Sequence, residues 1–177
     1  NEIAGFNKKG TECFFYGTKD SPLERNFYSV NLKDGKITRI TPEHGTHYVI
    51  FNEEGTRFVD SYSSTDIAFK SVLLDNKGKI LKEFDVCEDP FAKLDNAPTI
   101  TIDTLRGIDG TLLYTRMIKP KNFDPNKKYP VIIYVYNGPH AQLITDSWTA
   151  GAGNFLPFLA TQDYIVWTLD GRGSANR

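Results

Sequence analysis

Two junctions in this chain have residue types that could do chemistry. Residues 131–136, VIIYVY, run straight into Tyr136-Asn137-Gly138-Pro139. A phenol hydroxyl fixed above a sheet can donate a hydrogen bond to an oxygen that becomes negative during acyl transfer. The plainer reading of the same residues is a tight turn in which glycine and proline reverse the chain. Residues 164–169, YIVWTL, run likewise into Asp170-Gly171-Arg172-Gly173-Ser174. Asp170 and Arg172 suit a supporting role, pairing or bonding nearby backbone to brace a loop beside a site. Ser174 has a nucleophile's side chain but lacks glycine two residues to either side, and no G-x-S-x-G elbow occurs in the sequence. In α/β enzymes the carboxyl end of a buried strand is where ligands and chemistry collect.

Other polar residues point less clearly. His44 and His47 form H-x-x-H after Pro42 with no third ligand at matching spacing, so they read as solvent-exposed loop histidines rather than a metal site. His140 follows the tyrosine turn and has the chemistry of a general base. Gly151-Ala152-Gly153 lacks the third glycine and the preceding strand of a dinucleotide fingerprint. No metal and no cofactor is expected from these patterns. Cys13 and Cys87 make neither a metal spacing nor a CxxC pair; Cys13 reads as a buried free thiol, with a bridge between the two left open.

Lys and Arg number 21 against 22 Asp and Glu, for a net charge of −1, which argues against a basic nucleic-acid or membrane-surface binder. Aromatic residues make up 13% and there is one Met, a balance that favours pleated sheets. No apolar run is long enough for a helical membrane span. The chain opens on Asn1-Glu2 and reads as a piece of something longer, so the lack of a leader says nothing about compartment.

The elements that must position the two junctions fall into two parts. The first half repeats itself: Phe6-Asn7-Lys8-Lys9-Gly10-Thr11 matches Phe51-Asn52-Glu53-Glu54-Gly55-Thr56, Phe27 to Leu32 matches Phe69 to Leu74, and Gly35-Lys36-Ile37 matches Gly78-Lys79-Ile80. A period in the forties with four short strands per copy is the pattern of β-propeller blades. The expected strands are 3–6, 12–18, 26–32 and 37–41, then 48–51, 57–63, 67–74 and 79–85. Two blades cannot close a ring, so they read as the last two of a larger wheel. Residues 87–98, broken by Pro90 and Pro98, suit a connector. Strands 99–103 and 112–118 read as a hairpin. Strand 131–136, buried on both faces, helix 154–162 and strand 164–169 then form a βαβ unit. The expected division is residues 1–88 and 89–177.

YPVIIYVYNGPHAQ and TLDGRGSANR resemble the start of the catalytic domain in the prolyl oligopeptidase family, and most closely its dipeptidyl peptidase IV subfamily. The repeats, connector and hairpin fit in order, so the resemblance covers essentially the whole chain. It implies a β-rich mixed fold: the last two blades of an eight-bladed propeller, then the N-terminal part of an α/β-hydrolase domain. It implies a serine exopeptidase that removes N-terminal dipeptides with Pro, or less well Ala, at the second position. Tyr136 takes the oxyanion-hole role by this resemblance, with Asn137, Gly138, Pro139, Asp170 and Arg172 supporting the site. Asn137 departs from the Gly or Ala usual in the family.

The family's catalytic histidine lies near its C-terminus, which sets His140 aside. The serine elbow, acidic residue and histidine are expected beyond Arg177, and the paired glutamates that hold a substrate amine before Asn1. Residues 1–177 are therefore expected to be inactive alone and to self-associate through open sheet edges. The parent is expected to act on peptides and to form a homodimer, with no nucleic-acid partner and a periplasmic or extracellular location. The alternative is a propeller-based binding module with a degenerate hydrolase-like domain.

Overall fold

The structure, a computed structural model, describes residues 2–136 and 138–176. It is β-rich, with few helices. The chain divides into two compact units, Asn1–Glu88 and Asp89–Arg177.

The first unit holds two four-stranded antiparallel sheets whose strands follow chain order. One contains β1 (Glu2–Phe6), β2 (Glu12–Gly17), β3 (Asn26–Asn31) and β4 (Ile37–Arg39). The other contains β5 (Thr46–Phe51), β6 (Arg57–Ser63), β7 (Phe69–Asp75) and β8 (Ile80–Cys87). The sequence repeat is also a repeat of turn chemistry. Asn7 Oδ1 accepts from the amides of Thr11 and Glu12 at 2.9 and 3.2 Å. Asn52 Oδ1 accepts from those of Thr56 and Arg57, both at 2.9 Å. An asparagine side chain that satisfies two backbone donors fixes the hairpin turn with local bonds.

The two sheets bury one aromatic core between them. Phe14, Tyr16, Phe27 and Ile40 from the first meet Val49, Phe58, Tyr62, Val72 and Leu74 from the second. The Phe14 ring meets Phe58 edge-on at 5.3 Å and Tyr16 meets Phe27 edge-on at 4.9 Å. Each fully buried phenylalanine stabilises this unit by about 1.5–3 kcal/mol. Cys13 is a buried free thiol and Cys87 an exposed one.

His47 corrects the expectation of a solvent-exposed loop histidine. It lies in β5 at 1% exposure, its Nδ1 is 2.9 Å from Asp60 Oδ2, and its ring stacks on Tyr62. The pairing of His47 with Tyr62 across β5 and β6 turns it onto the core side. His44 remains half exposed, 3.6 Å from Asp66.

The second unit has one four-stranded mixed sheet, ordered β11-β12-β10-β9. Its strands are β9 (Thr99–Arg106), β10 (Leu112–Lys119), β11 (Val131–Tyr134) and β12 (Ile165–Leu169). β9 and β10 form a hairpin, β12 runs antiparallel to β10, and β11 runs parallel to β12. Helix α1 (Phe155–Thr161) covers one face and buries Leu156 and Ala160 against Ile118 and Val166. Pro157 falls in its first turn, where no amide bond is lost.

β11 differs from the expected strand. It ends at Tyr134, and Val131 and Ile133 are 56% and 63% exposed. Among the described residues β11 pairs on one side only, and these two side chains face away from Ile132, which packs beside α1. An apolar run of this kind marks a strand built for two covered faces, and here one is open.

Two buried phenols give the first unit an alkaline limit. Burial pushes Tyr28 up to about 12, helped by its hydrogen bond to Asp20, and burial does the same for Tyr62, helped by the charge of Glu43. The unfolded chain releases these protons near pH ~10. Between that value and the folded one only the unfolded chain is ionised, so stability is full below pH ~10 and falls as pH rises towards 12. The melting temperature should drop across this window. In a Tyr28→Phe/Tyr62→Phe variant the drop should be shallower, as read by circular dichroism at successive pH values.

Candidate functional site

Tyr136 stands two residues beyond the end of β11, at the carboxyl end of a parallel pair, and is 64% exposed. Its ring folds back over Gly138. A Cβ at Gly138 would lie 2.4 Å from Tyr136 Cε1 and 2.8 Å from Cζ. Glycine stands there because the ring occupies the place of a side chain. Asn137 lies outside the described residues. Pro139 follows in the turn, and His140 takes a left-handed φ of 63°.

The loop continues to residue 154 with one short 3-10 turn at Trp148–Gly151, and two buried charges hold it. Asp170, 3% exposed at the end of β12, accepts hydrogen bonds from the amide of Leu143 at 3.1 Å and that of Ile144 at 2.9 Å. Arg116, 1% exposed in β10, donates to the carbonyl oxygens of Leu143 at 2.6 Å and Ala150 at 2.8 Å and to Thr168 Oγ1 at 3.0 Å. Bonds to charged groups are worth roughly 1.5–3 kcal/mol each. Burial lowers the Arg116 pKa from its ordinary value, and the nearby charge of Asp170 pushes it back up. The guanidinium stays protonated, because arginine starts so far above neutrality.

This grip holds a strained segment. Thr149, Ala150 and Gly151 take φ values of 59°, 52° and 78° in succession. A non-glycine residue in that region costs roughly 1–3 kcal/mol and persists only where its surroundings over-determine it. Here the surroundings are Arg116 on the Ala150 carbonyl and the close approach of Gly151 to Leu143, whose oxygen would sit 2.8 Å from an added Cβ. The fully buried Ile144 side chain pins the loop from its middle.

Arg172 lies elsewhere. It is exposed and pairs with Asp109 of the β9–β10 turn at 3.0 Å. The Asp109 carboxyl is held below the usual range chiefly by its hydrogen bond from the Thr111 amide, with Arg172 adding to this. Ser174 is buried, and its amide donates to Gly171 O at 3.1 Å. The segment after Asp170 ties back to the tyrosine loop twice, through the amide of Ala175 to Ala141 O at 3.1 Å and Asn176 Nδ2 to Gln142 Oε1 at 2.9 Å. Among the described residues no three His, Cys, Asp or Glu side chains converge as metal ligands.

Arg116 was missed in the sequence. Its signal was a charge at an inward position of LLYTRMIK, between Tyr114 and Ile118 on the same strand face.

Comparison with known proteins adds the chain's relatives. Residues 1–69 match the model of the dipeptidyl peptidase IV N-terminal region. The human dipeptidyl peptidase 8 is 30% identical over 93% of this chain, which spans 19% of that protein. A candidate dipeptidyl aminopeptidase IV from Bacteroides ovatus superposes with a TM-score of 0.87 at 38% identity, over all of this chain and 25% of its own. The chain belongs to the dipeptidyl peptidase IV family. A dipeptidyl peptidase 4 structure from Porphyromonas gingivalis shares the fold, with a TM-score of 0.84 at 24% identity. The chain thus spans about a fifth to a quarter of the length of these dipeptidyl peptidase IV relatives.

The seat of the Tyr136 ring can be tested directly. Gly138→Ala meets no positive φ, so its backbone cost is small and stability should stay within about 1 kcal/mol of the wild type. The added methyl should swing the phenol off its position, and a crystal structure of the variant would show it. An unmoved ring would mean that the turn, and not the ring, demands glycine.

Proposed function

We propose that this chain is part of a serine exopeptidase that releases N-terminal dipeptides with Pro, or less well Ala, in second position. Residues 1–88 are read as two blades of a propeller and residues 89–177 as the opening of an α/β-hydrolase domain. The observation that carries the reading is the exposed Tyr136 phenol at the carboxyl end of β11, in a chain whose relatives are dipeptidyl peptidases. In this role Tyr136 donates to the oxygen that turns negative in the tetrahedral intermediate, where a fixed donor acts on the transition state more than on the bound substrate. Gly138 and Pro139 set the turn, with Asn137 as its variable member. Asp170 supports the loop that follows, and Arg172 ties the second junction to the β9–β10 turn.

A serine nucleophile in its elbow, with an acid and a histidine, completes the chemistry from elsewhere in the longer polypeptide. Residues 1–177 alone contain no such elbow and should not release chromophore from a Gly-Pro-anilide. As an isolated piece they should also associate. The edges of β8 and β11 and the apolar residues Phe84, Val86, Val131 and Ile133 are open. Light scattering after size exclusion should show mass rising with concentration, whereas a monomer at all concentrations would count against it. The parent is read as a homodimer acting on peptides.

Tyr136→Phe in the full-length protein provides the main test. It removes one donor and little volume, so the melting temperature should hold. Turnover of Gly-Pro-anilide should fall by roughly 10²–10³-fold, or about 2.7–4 kcal/mol. A turn that is plain architecture would instead leave the rate near normal, and that result would take Tyr136 out of the reaction.

A further inference from the structure

We infer that Asp170 and Arg116 are positioning residues for Tyr136, because together they clamp the middle of the loop that the tyrosine begins. Tyr136 is anchored at its own end by β11, which stops at Tyr134. Among the described residues, the next backbone held by buried charged side chains is Leu143-Ile144. There the backbone is held from both sides: the Leu143 amide donates to Asp170 and the Leu143 carbonyl accepts from Arg116. Both side chains come from the central strands of the sheet, Arg116 from β10 and Asp170 from the end of β12. The intervening segment is a short bridge between two rigid supports, stiffened by Pro139 and by the left-handed His140. A bridge fixed at both ends has far fewer conformations than one fixed at a single end.

The arrangement has features of a clamp rather than of incidental packing. Loop amides and carbonyls that are buried must find partners. Here two side chains meet that need at both ends of the 143–150 segment, one as an acceptor only and the other as a donor only. The two charges are opposite, and the Asp170 carboxylate supports the charge of Arg116. Ala175 and Asn176, just past Asp170, add bonds to Ala141 and Gln142, so the same junction holds the bridge at neighbouring points. For an oxyanion donor this matters, since a displacement on the order of 1 Å can cost roughly 10²-fold in rate.

The kinetic consequence rests on the peptidase reading above, while the positional one does not. The test uses the full-length protein carrying 3-fluorotyrosine at position 136, as wild type, Asp170→Asn and Asp170→Ala. Asparagine keeps one acceptor oxygen and the shape, and alanine removes both acceptors. The wild type should show one narrow fluorine resonance well below its melting temperature. The Asn variant should broaden or split it, and the Ala variant more so. Turnover of Gly-Pro-anilide should fall in the same order, reaching roughly 10²-fold in the Ala variant, with KM changing less than kcat. A narrow, unshifted resonance in folded Asp170→Ala would overturn the inference whatever the rate. Failure of both variants to fold would also overturn it, by making Asp170 a residue of the fold and not of the loop. A wild type without turnover would remove the peptidase reading and leave the resonance to decide the clamp.

Discussion

A carboxylate with almost no exposed surface must find donors, and at Asp170 those donors are the backbone amides of Leu143 and Ile144. Much of the second unit's irregular structure follows from that demand. The amides bring the loop down onto the sheet and Arg116 takes its carbonyls. The left-handed run at Thr149 to Gly151 then closes the loop before α1 begins. Each charge has its own backbone partners, and the carboxylate of Asp170 also supports the charge of Arg116. Removing either would leave the backbone groups it serves without those partners, at about 1–3 kcal/mol for each buried group left unsatisfied.

The first unit meets its polar obligations differently. Its sheets pair most of their own backbone, the short asparagine turns serve nearby amides, and Tyr16 and Arg25 reach the backbone of Val49 and His47. The core between the sheets is largely aromatic, with rings that meet edge-on. One unit is therefore stabilised mainly by apolar area and local turn chemistry. The other relies on long-range charged hydrogen bonds to hold the loop beside its candidate site.

That difference explains what could be read from the sequence. The asparagine turns, the hairpin of β9 and β10 and the tyrosine junction are encoded over a few neighbouring residues, so their spacing announces them. Arg116 binds groups 27, 34 and 52 residues away, and no local pattern names those partners. The glycine after Asn137 looked like a turn marker, whereas its contact with the Tyr136 ring depends on how the phenol folds back. His47 was misplaced for the same reason. Its partner Asp60 is 13 residues on, and only the register of β5 against β6 turns both inward. The openness of β11 was hidden too, because an apolar run records that a strand is made for cover and not what supplies it.

The His47–Asp60 pair has a consequence for how the second sheet assembles. Side chains alternate along a strand, so sliding β5 by one residue would turn His47 outward and bring an apolar neighbour in beside Asp60. Asp60 would remain inside with its charge unanswered, while Tyr62 would lose the ring stacked on it. A one-residue slip of these strands thus leaves a buried polar group without its partner, on top of turning the apolar face outward. The pair works as a second check on alignment beside the buried apolar face, and adds specificity in partner as well as in face.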